Sequence, residues 1–219
     1  MDGMRLLGSL LVSGVVSFVI AATVHADPVR LEVAPSVDVS VSHACAWAWD
    51  WEGACAWFLG DALPVGGDYA RVWRAALVFD LDSVPRGAAI DTAELRLWFT
   101  GSCITASGTR GACDGRAWTL ESDPILTSDW ASERELGLAD AVDVATIPPL
   151  SGPRWISFDV TSPVASWLDG DENDGVAVRL GDAQEVRRGS GPRFASTRAA
   201  DAAARPRLVV TYEGGGASG

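Results

Sequence analysis

Ala75-Ala76-Leu77-Val78-Phe79-Asp80-Leu81-Asp82-Ser83-Val84-Pro85-Arg86-Gly87, followed by Ala93-Glu94-Leu95-Arg96-Leu97-Trp98-Phe99, is the stretch that decides the fold. In its first half Leu77, Phe79 and Leu81 share one face of an extended chain. In its second half Leu95, Leu97 and Phe99 point one way, while Glu94, Arg96 and Trp98 point the other. Successive side chains leave a strand on opposite sides, so a period of two reads as β-structure with one face buried. Pro85-Arg86-Gly87 supplies the turn between the halves.

The same rhythm extends outward in both directions. Val37, Val39 and Val41 alternate with Asp38 and Ser40. Further rows are Ile156, Phe158 and Val160, then Val176, Val178 and Leu180, then Leu208, Val210 and Tyr212. Short alternating segments broken by Gly, Pro, Asp and Ser predict an all-β chain, an antiparallel β-sandwich. Arg116 to Glu121 is expected to return as the hairpin partner of the Leu95 strand. One short helix is signalled: Thr161 or Ser162 can cap it, Pro163 suits its first turn, Val164, Trp167 and Leu168 share a face, and Gly170 ends it. That helix is expected to plug one end of the sandwich. Residues 128–152, with Trp130 and Pro148-Pro149, read as a long loop crossing it. The expected organisation is a signal peptide at 1–26, a single sandwich domain at 27–213 and a flexible tail at 214–219.

The leader reading rests on Arg5, an apolar run from Leu6 to Val24, and small residues at Val24 and Ala26 ahead of Asp27-Pro28. An uncleaved membrane anchor is the competing reading of the same run. With cleavage the chain is secreted or held at the cell surface, with no membrane contact. The net charge is −12, and all 17 cationic residues are arginines. Nucleic acid is excluded as a partner, because phosphate recognition needs clustered cations and only Arg187-Arg188 are adjacent. Export also fixes the reading of the four cysteines. Three pairings exist, and sequential bridges Cys45–Cys55 and Cys103–Cys113 are the first choice. Each would stabilise by about 2–3 kcal/mol in the chain-entropy picture.

The strand text from Ala75 to Trp98 resembles the DNRLRE domain family. So do Trp155-Ile156-Ser157-Phe158-Asp159-Val160-Thr161-Ser162 with Trp167 and Gly175, and the closing Arg193-Phe194-Ala195-Ser196 with Arg205-Pro206-Arg207-Leu208-Val209-Val210-Thr211-Tyr212. The resemblance spans about residues 35–213, in the right order. It implies a jelly-roll module of secreted and cell-surface proteins, some of which bind carbohydrate. Similar domains carry a polar stretch where this chain has residues 43–58, with Cys45, Cys55 and four tryptophans.

Those tryptophans are the candidate ligand site. Trp47, Trp49 and Trp51 recur with period two, with Trp57 close behind, and flat indoles are what a sugar-stacking platform needs. The competing readings are rings that cover a sheet edge and rings that form a protein interface. Asp169, Asp171 and Asn173 fall in an acidic run that resembles the start of a calcium loop, although its glycine comes one place late and no twelfth-position glutamate follows. A solvated turn explains the run better, so no metal or cofactor is assigned, structural calcium aside. Catalytic residues are not assigned either. The one histidine after the leader, His43, lies in the Trp-rich stretch, and the many carboxylates single out no acid–base pair. The reading is therefore a secreted, non-enzymatic module that binds polysaccharide or attaches at the cell exterior. The alternative is a ligandless structural or protein-interaction module, and a carboxylate-based lyase or hydrolase comes last.

Overall fold

The structure is a computed structural model, and it describes residues 27–42, 57–58, 60–67, 72–105, 107–126, 136–185 and 190–214. The leader, Cys45, Cys55 and the Trp47–Trp51 row lie outside the described residues.

Two antiparallel sheets form the sandwich. The first sheet contains β1 (Pro28–Val33), β14 (Arg207–Glu213), β7 (Ile90–Thr105), β13 (Ser190–Ala195) and β4 (Ala62–Pro64), in that spatial order. Strands β8 (Arg110–Gly111) and β11 (Arg154–Asp159) also pair with β7. The second sheet runs β10 (Asp143–Ile147), β9 (Trp118–Pro124), β12 (Val176–Leu180), β6 (Val72–Phe79), β2 (Pro35–Ser42) and β3 (Trp57–Phe58), with β5 (Gly66–Gly67) on β6. Along much of its length the chain steps from one sheet to the other, as a jelly roll does.

The inward rows meet as expected. Leu77, Phe79, Leu95, Leu97, Phe99, Phe158, Val176, Val178, Leu180, Leu208 and Val210 form one buried cluster between the sheets. Fully burying a side chain of this kind contributes about 1.5–3 kcal/mol, so these rows hold the two sheets together. β7 is the spine. Residues 94–99 pair with β11, residues 90–96 with β14, and its far end with β13 and β8. The Cys103–Cys113 disulfide closes that far end, with its Cα atoms 5.0 Å apart. Sheet edges are fastened by polar side chains as well. Buried Asp38 of β2 accepts from the Thr197 N–H and hydroxyl and pairs with Arg198, both of which follow β13 in the opposite sheet.

Two expectations about strands fail. Residues 116–121 do not pair with the Leu95 strand. After β8 the chain crosses to the second sheet, where β9 lies between β10 and β12. Alternation tells which face is buried but not which strand is the neighbour. The stretch 128–152 is not all loop either, because β10 pairs with β9 from Asp143↔Ser122 to Ile147↔Trp118. As an edge strand β10 buries only Ile147 and leaves Val144 and Thr146 exposed, so its apolar pattern is faint.

Helix α1 (Thr161–Asp169) buries Pro163, Val164 and Leu168, the last two in the main core, close to β7. Its N-cap residue is Val160, which has no side-chain cap. Asp159 does the capping instead: its carboxylate accepts from the Thr161 N–H at 2.9 Å and from the Thr161 hydroxyl at 2.6 Å. The same Thr161 oxygen accepts from the Ala93 N–H at 2.9 Å, which ties the helix to β7. Gly170 ends the helix at φ 119°. Gly175, at φ +94°, enters β12 so close to β6 that a β-carbon there would lie 2.2 Å from the Leu77 carbonyl oxygen.

Candidate protein-interaction face

The outer face of the first sheet carries the most organised exposed side chains. Trp98 of β7 and Trp155 of β11 stand directly opposite each other in register. Their rings meet edge to face, with centroids 5.3 Å apart at 68°, a geometry worth about 0.5–1.5 kcal/mol beyond area burial. The Arg207 guanidinium of β14 lies 4.4 Å from the Trp155 ring centroid. It is held there by an ion pair to Glu32 of β1 at 3.1 Å and a hydrogen bond to the Ala203 carbonyl at 3.1 Å. Trp98 packs on Ala195, Ala199 and Ala204, the last two in the segment between β13 and β14. Both indoles are half-buried and fixed from below, with an edge left to solvent.

The charges around the pair are also fixed. Glu94 receives hydrogen bonds from Arg96, its neighbour on this face of β7. Burial pushes the Glu94 carboxyl up, but hydrogen bonds from Arg96 and Ser157 outweigh it and the group stays below its ordinary range. Hydrogen bonds from the Thr161 hydroxyl and N–H likewise hold Asp159 low. The face is thus a rigid patch of two indoles and a stacked guanidinium, bordered by carboxylates held below their ordinary range. Trp, Tyr and Arg dominate the energetic centres of protein interfaces, because they bury a large area with little side-chain ordering.

The outer face of the second sheet differs. Val39, Val41, Ala76, Ala177, Ile125 and Leu136 are buried in a second apolar cluster there. Beside it Arg179 of β12 ion-pairs with Glu121, Asp123 and Asp182, and Arg74 makes two hydrogen bonds to Glu185, of 2.9 and 2.8 Å. Burial pushes the Asp123 and Glu121 carboxyls above their ordinary range in spite of Arg179. The Arg179 guanidinium is itself moved up, since its carboxylate partners outweigh burial.

Of the residues singled out from the sequence, only Trp57 among the four tryptophans has a described backbone, in β3 beside Val41. The calcium candidates line a cleft of about 760 Å³ between the end of α1 and the turn after β6. There Asp171 accepts from Ser166, and the Asn173 amide donates to the Phe79 carbonyl at 2.8 Å. Asp80 serves as a turn residue, accepting from the Asp82 N–H at 2.9 Å. Among the described residues no three His, Cys, Asp or Glu side chains are grouped to hold a metal. No helix among them is long and apolar enough to cross a membrane. Trp155 and Arg207 went unremarked in the sequence as site residues. Their signal was their place opposite the apolar rows, the same signal that put Trp98 on the outward side.

A family model for the TGF-beta propeptide matches residues 61–210. No curated protein matches the chain. The propeptide match overturns the DNRLRE resemblance, and the polysaccharide-binding reading falls with it. The physical reason is visible in the core. The shared text is mostly inward rows and turns, such as Leu77, Phe79, Leu95, Phe158 and Val210. Any sandwich of this kind requires such positions, and they specify layers rather than ligands. The propeptide is a secreted, non-catalytic prodomain, which agrees with the expectation of an exported chain that is not an enzyme.

Proposed function

The chain belongs to the TGF-beta propeptide family, and we propose that it is an extracellular protein-binding module of the prodomain type, which holds a growth-factor-type polypeptide against the outer face of its first sheet. The observation that carries the reading is the family match across residues 61–210, from just before β4 into β14. The face supports it. Trp98, Trp155 and Arg207 are presented already ordered, so a partner gains their contact area without the entropy loss of fixing three large side chains. The opposite face has buried Val39, Val41, Ala76 and Ala177 within the chain and leaves only Val37 and Val144 of its described valines exposed, so it offers less to a partner.

The test is direct. The purified chain is immobilised and titrated with a TGF-beta-type growth-factor dimer. Saturable binding at or below about 1 μM, equivalent to about −8 kcal/mol, is expected. No binding at concentrations tens of times higher would remove the growth-factor reading.

A further inference from the structure

Leu150 is out of place by two independent measures. It is 85% exposed, the most open of the large apolar residues exposed in the described chain. It is also the one non-glycine residue described with positive φ, at 54°. A branched apolar side chain in the left-handed region costs about 1 kcal/mol or more, which glycine or asparagine would avoid at the same turn. Neither anomaly helps the isolated fold.

The segment that carries Leu150 is rigid. It links β10 of the second sheet to β11 of the first and reads Pro148-Pro149-Leu150-Ser151-Gly152-Pro153. Pro148, Pro149 and Pro153 fix three φ angles. The Ser151 hydroxyl donates to the Pro148 carbonyl at 2.7 Å. Pro153 lies against Gly101, where an added β-carbon would fall 2.8 Å from its ring. The Leu150 side chain leans over Gly115, near enough that a β-carbon there would stand 3.4 Å from Cδ2. Gly115 follows Cys113, whose disulfide to Cys103 anchors that loop. Exposed Pro148 and Pro149 flank the leucine on one side, and on the other the chain runs straight into β11 and Trp155.

We propose that Leu150 is a docking anchor, a preformed apolar knob that enters a pocket on the polypeptide held by the Trp98–Trp155–Arg207 face. This rests on the protein-binding reading above. A protein pocket is favoured over a lipid surface, because one leucine gives little insertion energy and a chain of charge −12 is repelled by anionic membranes.

Leu150→Asn and Leu150→Gly are compared with the unaltered chain in three measurements: affinity for the TGF-beta-type growth-factor dimer, Tm, and co-sedimentation with phosphatidylcholine–phosphatidylserine vesicles. Both substitutes accept positive φ. The expected result is affinity reduced about tenfold or more with Tm unchanged or raised, and no vesicle binding by any form. Undiminished affinity in both variants overturns the anchor and leaves the functional reading standing. A lower Tm in both overturns it too, since Leu150 would then be a packing residue. Vesicle binding lost on substitution would overturn it in favour of lipid. Failure of the unaltered chain to bind the dimer overturns the functional reading and the anchor together.

Discussion

The outer faces of the two sheets start from the same strand geometry and end in opposite states. On the second sheet small and β-branched residues, Val39, Val41, Ala76 and Ala177, are covered by Ile125 and Leu136, and the charges beside them are drawn inward. On the first sheet the outward positions of β7, β11 and β14 carry Trp98, Trp155, Glu94, Arg96 and Arg207, half-buried and tied to one another. Their acids respond in opposite directions. Glu121 and Asp123 are pushed up by burial, whereas Glu94 and Asp159 are held down by hydrogen bonds. The lesson is that burial of a sheet's outer face removes it from recognition, while local bonding of polar and aromatic groups keeps it both stiff and accessible.

The contrast breaks most readily at Arg179. Arg179→Met leaves the fully buried Asp123 carboxylate without its cation, and removing one partner of such a pair costs about 3–5 kcal/mol. Urea unfolding of the variant should show that loss, with growth-factor affinity unchanged for the fraction that remains folded. A cost below about 1 kcal/mol would mean that the second face is less closed than described.

Trp155→Ser probes the other face and should reverse the pattern. Affinity for the growth-factor dimer should fall about tenfold, a change of about 1.4 kcal/mol, while stability falls by about 2 kcal/mol, since the residue is half-buried and loses the Trp98 ring contact and the Arg207 stack. A stability loss as large as that of Arg179→Met, with affinity intact, would make Trp155 a core residue.

The smallest effect expected is at Asp159. Its folded carboxyl titrates below the ordinary value of 3.8, so its contribution is complete above that pH and is lost as pH falls through the lower folded value. Asp159→Asn keeps an acceptor for Thr161 but loses the charge at the helix N-terminus, so it should be less stable than the parent by about 0.5 kcal/mol near neutral pH. The difference should close below about pH 3.8. A gap that persists unchanged into strong acid would show that the cap does not depend on the carboxylate charge.

How much of this was legible beforehand follows from what alternation encodes. A row such as Leu95, Leu97 and Phe99 announces its buried face, and every such row from β6 to β14 lies in the core. Pairing is not encoded in the same way. The neighbour of a strand is decided by loop lengths and by competition among many similar strands, so β9 lies in the sheet opposite the one its sequence suggests. β10 escaped notice because Ala145 and Thr146 carry little contrast. The interaction face was half visible: Trp98 was correctly turned outward, but its meeting with Trp155 and Arg207 depends on three strands brought together from separate parts of the chain. The local density of indoles at Trp47, Trp49 and Trp51 is the stronger signal in the sequence, and those residues lie outside the described ones. Helix α1 was placed correctly, but its cap was not, because the acceptor sits one residue before Val160 and already belongs to the end of β11.

The register of β1 against β14, from Pro28↔Glu213 to Val33↔Leu208, has a consequence for the timing of folding. Among the described residues the first strand finds its neighbour in the last, and β14 also completes one flank of β7. A chain emerging N-terminus first can collapse locally, but the first sheet cannot close until almost the whole domain is available. Contacts of such long sequence separation slow folding and leave β7 with an unpaired flank in the interval. The Trp98–Trp155 pair needs only β7 and β11, whereas the Arg207 stack on Trp155 waits for β14, so the interaction face is completed by the last described strand to arrive.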